Sequence, residues 1–86
     1  MTVSFYGNVQ DYTSGAKSLD IEGVSSVREL IGLLDQRFGH DFGEFLLGDH
    51  TCFFLVNGGG IMTTGGLDTT LGDDDAVDVL PSVDGG

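Results

Sequence analysis

Basic residues are almost missing from this chain. Against fourteen Asp and Glu it has one Lys and two Arg, which gives a formal net charge of −11. Such a surface repels the phosphates of nucleic acids and anionic lipids, so the composition argues against both as partners. It favours a protein partner with a basic docking surface. Adaptation to a salty cytoplasm would produce the same acidity, and this second interpretation stays open.

Cysteine and long apolar runs are also scarce. Cys52 is the one cysteine, so the chain cannot form an internal disulfide or an all-cysteine zinc site. No apolar stretch approaches the roughly 20 residues of a membrane-spanning helix. The first residues, Met1 to Phe5, lack the basic and apolar regions of a signal peptide. We therefore expect a cytoplasmic protein that does not contact the membrane.

The first half of the sequence predicts a hairpin followed by a helix. Period-two alternation indicates strands over residues 2–9 and 17–22. Ser26 and Glu29 form a capping box that begins a helix, and Gly39 is placed to end it with a left-handed cap. The apolar stripe expected to face the core comprises Val27, Leu30, Ile31, Leu34 and Phe38.

The second half predicts further strands. Residues 40–50 show no clear pattern and are predicted to be irregular. The continuous apolar run over residues 52–56 predicts a strand that is buried on both faces. Asn57-Gly58 is a hairpin-turn dipeptide, and a short return strand is expected around Ile61-Met62.

The last strand is predicted over residues 76–80, with Val77 and Val79 facing inward. Pro81 ends it, because proline has no N–H to donate to a neighbouring strand. An 86-residue chain with this order of elements makes one domain. We expect an α+β sheet that grips one helix over residues 1–81, followed by a flexible tail over residues 82–86.

The tail ends in Gly85-Gly86, a few residues beyond the last predicted strand. A terminal carboxylate is a poor electrophile and must first be activated, typically as an acyl-adenylate. Two residues without side chains give a thin, adaptable backbone that can enter a narrow enzyme channel. The glycines at 58–60 lack the Lys and Ser/Thr of a phosphate-binding loop, so ATP would have to be bound by a partner.

The segment from Leu67 to Gly86, LDTTLGDDDAVDVLPSVDGG, resembles the C-terminus of the MoaD/ThiS family of ubiquitin-like sulfur carriers. This group includes the small subunit of molybdopterin synthase and the archaeal ubiquitin-like modifiers. The family ends with a leucine, an acidic turn, an apolar strand and P-P-V-S-G-G. Here Asp74 replaces the usual turn glycine, Ser82 a second proline and Asp84 a small polar residue. These three departures bear on which subfamily the chain resembles more than on its role as a sulfur carrier.

The resemblance implies a β-grasp fold, with a mixed sheet of four to five strands packed on one main helix. It implies that a ThiF/MoeB-like enzyme uses ATP to adenylate Gly86, which a persulfide then converts to a thiocarboxylate. The sulfur would pass to a MoaE-like large subunit or another acceptor enzyme. The chain would be a monomer when free, with no bound cofactor, and would not be catalytic alone. The tail residues that would line the partner's channel are Pro81, Ser82, Val83, Asp84 and Gly85.

Two other functions stay open. The chain could be a protein modifier joined to lysines through Gly86, or an interaction module with an incidental Gly-Gly end. The remaining polar residues favour no metal site, because His40, His50 and Cys52 lack a second His or Cys pair. The acidic run at 73–75 is interpreted as a solvated turn, Cys52 as a core thiol, and the phenylalanines chiefly as core residues.

Overall fold

A computed structural model describes residues 1–48 and 52–82 of the chain. The helices and strands are β1 (Thr2–Phe5), β2 (Ser18–Asp20), α1 (Val27–Phe38), α2 (His40–Leu47), β3 (Cys52–Val56), β4 (Gly59–Gly60) and β5 (Ala76–Pro81). Short 3₁₀ helices lie at Gly7–Asp11, Ile61–Thr63 and Gly66–Asp68. None of the helices in these described ranges is long and apolar enough to cross a membrane.

The five strands form one mixed sheet in the order β2-β1-β5-β3-β4. The last strand, β5, lies in the middle, parallel to β1 and antiparallel to β3. The other neighbours pair antiparallel. This arrangement confirms the predicted α+β, β-grasp fold, although two helices are present where one was expected.

Helix α1 lies where the sequence predicts it. Ser26 Oγ accepts a hydrogen bond from the N–H of Glu29 at 3.1 Å. The Glu29 carboxylate accepts from the N–H of Ser25 at 3.0 Å, one residue earlier than a standard capping box would place its donor. The apolar stripe packs as predicted: Leu30, Ile31 and Leu34 share one core with Phe54 and Val79.

Helix α2 corrects the prediction for residues 40–50, which were expected to be irregular. Gly39 does not end α1 with a left-handed cap: its φ of 114° and ψ of 156° turn the chain directly into α2. Phe42 is fully buried and stacks on Tyr12 with ring centroids 5.2 Å apart. Packing against residues that are distant in sequence stabilises this eight-residue helix, which is too short to be stable alone.

The predicted strands at 2–9 and 17–22 are longer than the observed β1 and β2. Val9 is nevertheless buried, because it lies in a 3₁₀ helix that returns it to the core. The hairpin turn is confirmed: Asn57 and Gly58 have φ values of 52° and 86°, as a two-residue hairpin turn requires. The return strand is β4, immediately before the predicted Ile61-Met62, which lie in a 3₁₀ helix.

Strand β3 is not buried on both faces, and that prediction was wrong. Only Phe54 of this strand is buried, whereas its neighbour Phe53 is 53% exposed. Phe54 belongs to the same core cluster as the buried faces of α1 and α2. The helices therefore cover one face of the sheet, and Phe53 points to the other face, which we call the outer face.

Candidate functional site

The site is organised by the end of strand β5, where the chain leaves the sheet. Pro81 is the last residue of β5 and lies opposite Cys52 of β3. Proline is tolerated at a strand end, because no further ladder hydrogen bond depends on its nitrogen. Pro81 and Ser82 are both half-buried. The end of β5 is therefore flanked by β3 on one side and by the residues that follow β1 on the other.

Three apolar side chains cross the outer face beside this exit. Phe53 is paired with Leu80 across β3 and β5. Phe5 is paired with Val79, and both are buried, so the next residues, Tyr6 and Leu80, point outward together. We call the set Tyr6, Leu80 and Phe53 the outer-face row.

Two side chains of the outer-face row are exposed, Leu80 is half-buried, and one acidic group lies beside the row. Tyr6 is 45% exposed and Phe53 is 53% exposed, which is unusual for side chains of this size. The Tyr6 hydroxyl donates to Asp78 Oδ1 at 3.4 Å, which orients the ring over β5. An apolar row with a carboxylate beside it can pack against an apolar partner surface that carries a basic residue.

An open apolar groove of about 390 Å³ adjoins the row on the β3 side. Its most exposed members are Met62, at 90%, and Leu47, at 55%. Cys52 lines this groove, half-buried, with its Sγ 3.8 Å from the carbonyl oxygen of Leu46. The thiol packs against the core from its margin, and so it is less buried than the predicted core thiol.

The opposite end of β5 is closed by hydrogen bonds around Asp75. Asn57 Nδ2 donates to its Oδ1 at 3.0 Å, and the N–H of Gly72 donates to its Oδ2 at 2.8 Å. These bonds, that from Asn57 foremost, lower the pKa of Asp75 below its usual value. Asp73 and Asp74 are exposed. The acidic run thus contains a solvated part and one carboxylate that fixes the turn before β5.

His40 lies away from the exit and joins the two helices. Its Nδ1 is 3.0 Å from Asp35 Oδ1, and its Nε2 is 3.1 Å from Glu44 Oε1. The hydrogen bond with Asp35, followed by the negative charges of Asp35 and Glu44, raises the pKa of His40. Residue His50, the other histidine, lies outside the described residues.

The structure places some of the predicted site residues and not others. Pro81 and Ser82 lie at the exit, while Val83, Asp84, Gly85 and Gly86 lie outside the described residues. Within residues 1–48 and 52–82, no group of three or more His, Cys, Asp or Glu could hold a metal ion.

Sequence reasoning missed the outer-face row. The alternation of side chains along β3 could have shown that Phe53 lies on the outer face, because Phe53 must point away from Phe54. Tyr6 and Leu80 could not be assigned to the same row without knowing which strands are neighbours.

Comparison with known proteins identifies the family. The sequence model of the ThiS family matches residues 3–86. No curated protein matches the sequence. A chain of the Amycolatopsis orientalis BexX/CysO complex is 28% identical, with a TM-score of 0.83, covering 99% of this chain and 98% of that one.

Two other solved structures connect the fold to named relatives. Small archaeal modifier protein 1 (SAMP1) from Methanosarcina acetivorans is 25% identical, with a TM-score of 0.80, covering 99% of this chain and 94% of that one. A putative molybdopterin converting factor, subunit 1, from Pyrococcus furiosus is 27% identical, with a TM-score of 0.77 and 95% of each chain covered. The chain therefore belongs to the ThiS family and has the ubiquitin-like β-grasp fold of its sulfur carriers and protein modifiers.

Proposed function

We propose that the chain is a sulfur carrier whose working group is the carboxylate of Gly86. The family match, which includes the Gly-Gly end, is the observation that carries this proposal. The structure supports it through the position of β5, which is the middle strand of the sheet and ends at Pro81, five residues before Gly86. A partner that binds the outer-face row would meet the start of this tail at the same place.

The chemistry proceeds in three steps on enzymes that bind the chain. The Gly86 carboxylate attacks the α-phosphorus of ATP, and pyrophosphate leaves, so that an acyl-adenylate forms. An enzyme persulfide attacks the acyl carbon and AMP leaves, which gives an acyl disulfide. A second thiol then cleaves the S–S bond and releases the thiocarboxylate, while the two enzyme sulfurs become a disulfide. This chain contributes the carboxylate and a tail that can reach the reacting atoms.

The tail fits this task in size. Gly86 lies five residues beyond Pro81, so an extended tail reaches about 17 Å from the end of the sheet. Such a reach spans a channel into an enzyme active site while the folded domain stays outside. Glycine at the last two positions keeps that path narrow. Asp84 brings a negative charge close to the reacting carboxylate, so the channel should hold a basic group beside it.

The partners follow from the same proposal. The activating enzyme would be a ThiF/MoeB-like adenylating enzyme that docks on the outer-face row. The sulfur acceptor would be a MoaE-like subunit that acts on a pterin precursor, and the similarity to a putative molybdopterin converting factor subunit supports this choice. The BexX/CysO complex supports the more general point that a protein of this fold binds a partner protein.

A second candidate is a protein modifier that is joined to lysines through Gly86. The similarity to small archaeal modifier protein 1 favours it. Both functions begin with the same activated carboxylate and differ in the attacking group, which is a persulfide in one and a lysine amine in the other. The product therefore distinguishes them: a thiocarboxylate, or an amide bond to another protein.

The test uses variants of the chain end. Wild type, a variant lacking Gly86, one with a residue added after Gly86, and Gly85→Val are incubated with the adenylating enzyme, ATP and a sulfur donor. Wild type should gain the mass difference between sulfur and oxygen. The variants should react about a hundredfold more slowly or not at all. In the two variants of altered length the reacting carbon is misplaced, and in Gly85→Val the side chain obstructs the narrow channel.

Asp74→Asn serves as the control, since Asp74 is exposed at the opposite end of β5. It should react as fast as wild type. All of the variants should unfold at the temperature of wild type. Activation of the variant lacking Gly86 at the rate of wild type would refute the proposal.

A further inference from the structure

A glycine far from the C-terminus lies against the exit from the sheet. Gly7 begins the 3₁₀ helix Gly7–Asp11, directly after Tyr6 of the outer-face row. A β-carbon on Gly7 would lie 2.8 Å from Cγ and 3.4 Å from Cδ of Pro81. Two carbon atoms that are not bonded to each other do not lie 2.8 Å apart, so one of them would have to move. The Pro81 ring therefore occupies the space that any other residue at position 7 would need for its side chain.

The backbone around Gly7 is held on both sides and cannot easily give way. The N–H of Tyr6 donates to the carbonyl oxygen of Val79 at 3.1 Å, which ties this segment to β5. Gln10 Nε2 donates to the carbonyl oxygen of Phe5 at 2.9 Å, and Val9 is fully buried. A side chain at position 7 would consequently displace the Pro81 ring rather than the 3₁₀ helix.

We propose that Gly7 is a positioning residue, which acts through Pro81 to fix the point at which the chain leaves β5. The inference rests on the proposed function, because it concerns delivery of the Gly86 carboxylate. Leu80 of the outer-face row directly precedes Pro81, so a partner on the row would lie beside the point where β5 ends. The tail has a limited reach of about 17 Å, so a shift of its starting point displaces the carboxylate from the reacting position.

The backbone conformation is a second reason for glycine at position 7. The experiment must separate its effect from that of the contact with Pro81. The φ of Gly7 is +58°, where alanine is strained whatever space surrounds it. Gly15 provides a matched control: its φ is +85°, and a β-carbon there would meet nothing within 4 Å. Gly7→Ala and Gly15→Ala therefore share the backbone strain, while only Gly7→Ala presses on Pro81.

The experiment measures thiocarboxylate formation at a series of carrier concentrations, together with the unfolding temperature. Gly7→Ala should lower kcat about tenfold, since a misplaced reacting atom slows the chemical step. Its KM should change less, because the outer-face row is retained. Gly15→Ala should keep the kcat and KM of wild type. Equal kcat for Gly7→Ala and wild type would overturn the positioning role.

The second part of the experiment uses variants of Pro81. Pro81→Ala removes the ring, so Gly7→Ala should have a smaller effect on kcat in a Pro81→Ala background than in wild type. An equal effect in both backgrounds would show that Gly7 does not act through Pro81, and would overturn the inference.

If Gly7→Ala does not fold, Pro81→Ala serves as the second variant, because the inference requires the Pro81 ring to fix the exit from β5. It should lower kcat at an unchanged unfolding temperature, and an unchanged kcat would overturn the inference. Wild type is measured alongside: without thiocarboxylate on wild type, the proposed function fails and the inference fails with it. With thiocarboxylate on wild type, the variants test the inference alone.

Discussion

The two faces of the sheet differ in what covers them. On the inner face, Val77 and Val79 of β5 are fully buried in the core with α1 and α2. On the outer face, Tyr6 and Phe53 remain about half exposed beside Leu80 of the same strand. One strand thus places one set of side chains in the core, and we propose that the other set binds the partner enzyme. Changes on the two faces should therefore have separable effects.

The largest expected effect is on the inner face. Leu30→Ala should lower the free energy of unfolding by about 2–5 kcal/mol, because Leu30 is fully buried and its loss leaves a cavity. Urea denaturation measures this. The fraction that stays folded should be activated at the rate of wild type. A change below about 1 kcal/mol would mean that the core does not depend on this helix face.

The next largest effect is on the outer face. Phe53→Ala should raise the KM for the adenylating enzyme about thirtyfold, as expected for the loss of a large aromatic contact in an interface. Its free energy of unfolding should fall by less than about 1 kcal/mol.

Met62→Ala is the matched control for Phe53→Ala. Met62 is more exposed, at 90%, and lines the adjoining groove together with Phe53, but only Phe53 also belongs to the outer-face row. Its KM should equal that of wild type. If Met62→Ala raises KM and Phe53→Ala does not, the docking surface is the groove and not the row.

Net charge should affect association more weakly. With a charge of −11, the chain should be attracted to a basic groove, and its on-rate should fall roughly tenfold between low and moderate ionic strength. Stopped-flow mixing with the adenylating enzyme measures this rate. An on-rate that is independent of salt would show that apolar contacts on the outer face account for association without electrostatic steering.

The smallest effect concerns His40, which lies on the helices. Because Asp35 and Glu44 raise its pKa in the folded chain, protonated His40 stabilises the fold. This contribution is complete below the unfolded-state pKa of about 6.5 and disappears as the pH rises through the folded-state value.

His40→Gln should accordingly lower the unfolding temperature slightly at acidic pH and not at alkaline pH. Activation of Gly86 should be unaffected at either pH. A difference in unfolding temperature that does not change with pH would contradict the assignment of the two carboxylates as its partners.

The elements that the sequence predicted correctly are those specified by neighbouring residues. The capping residue Ser26 and the stripe that follows define α1, and Asn57-Gly58 defines the hairpin. Helix α2 escaped prediction because its stability comes from contacts such as Phe42 on Tyr12, which join segments distant in sequence.

The candidate site divides in the same way. The Gly85-Gly86 end could be recognised from the sequence alone, through its resemblance to the family. The outer-face row and the contact between Gly7 and Pro81 depend on the pairing of β1, β5 and β3, which periodicity within one strand does not reveal.

The most direct test of the account is the intact mass of the protein isolated from its own host. The account predicts a form that carries a thiocarboxylate on Gly86, recognised by the mass difference between sulfur and oxygen. This form should be missing from a strain whose chain lacks Gly86. Covalent adducts with other proteins would instead identify the chain as a modifier. A chain found only with an unmodified carboxylate, in cells that grow equally well without Gly86, would contradict the central claim.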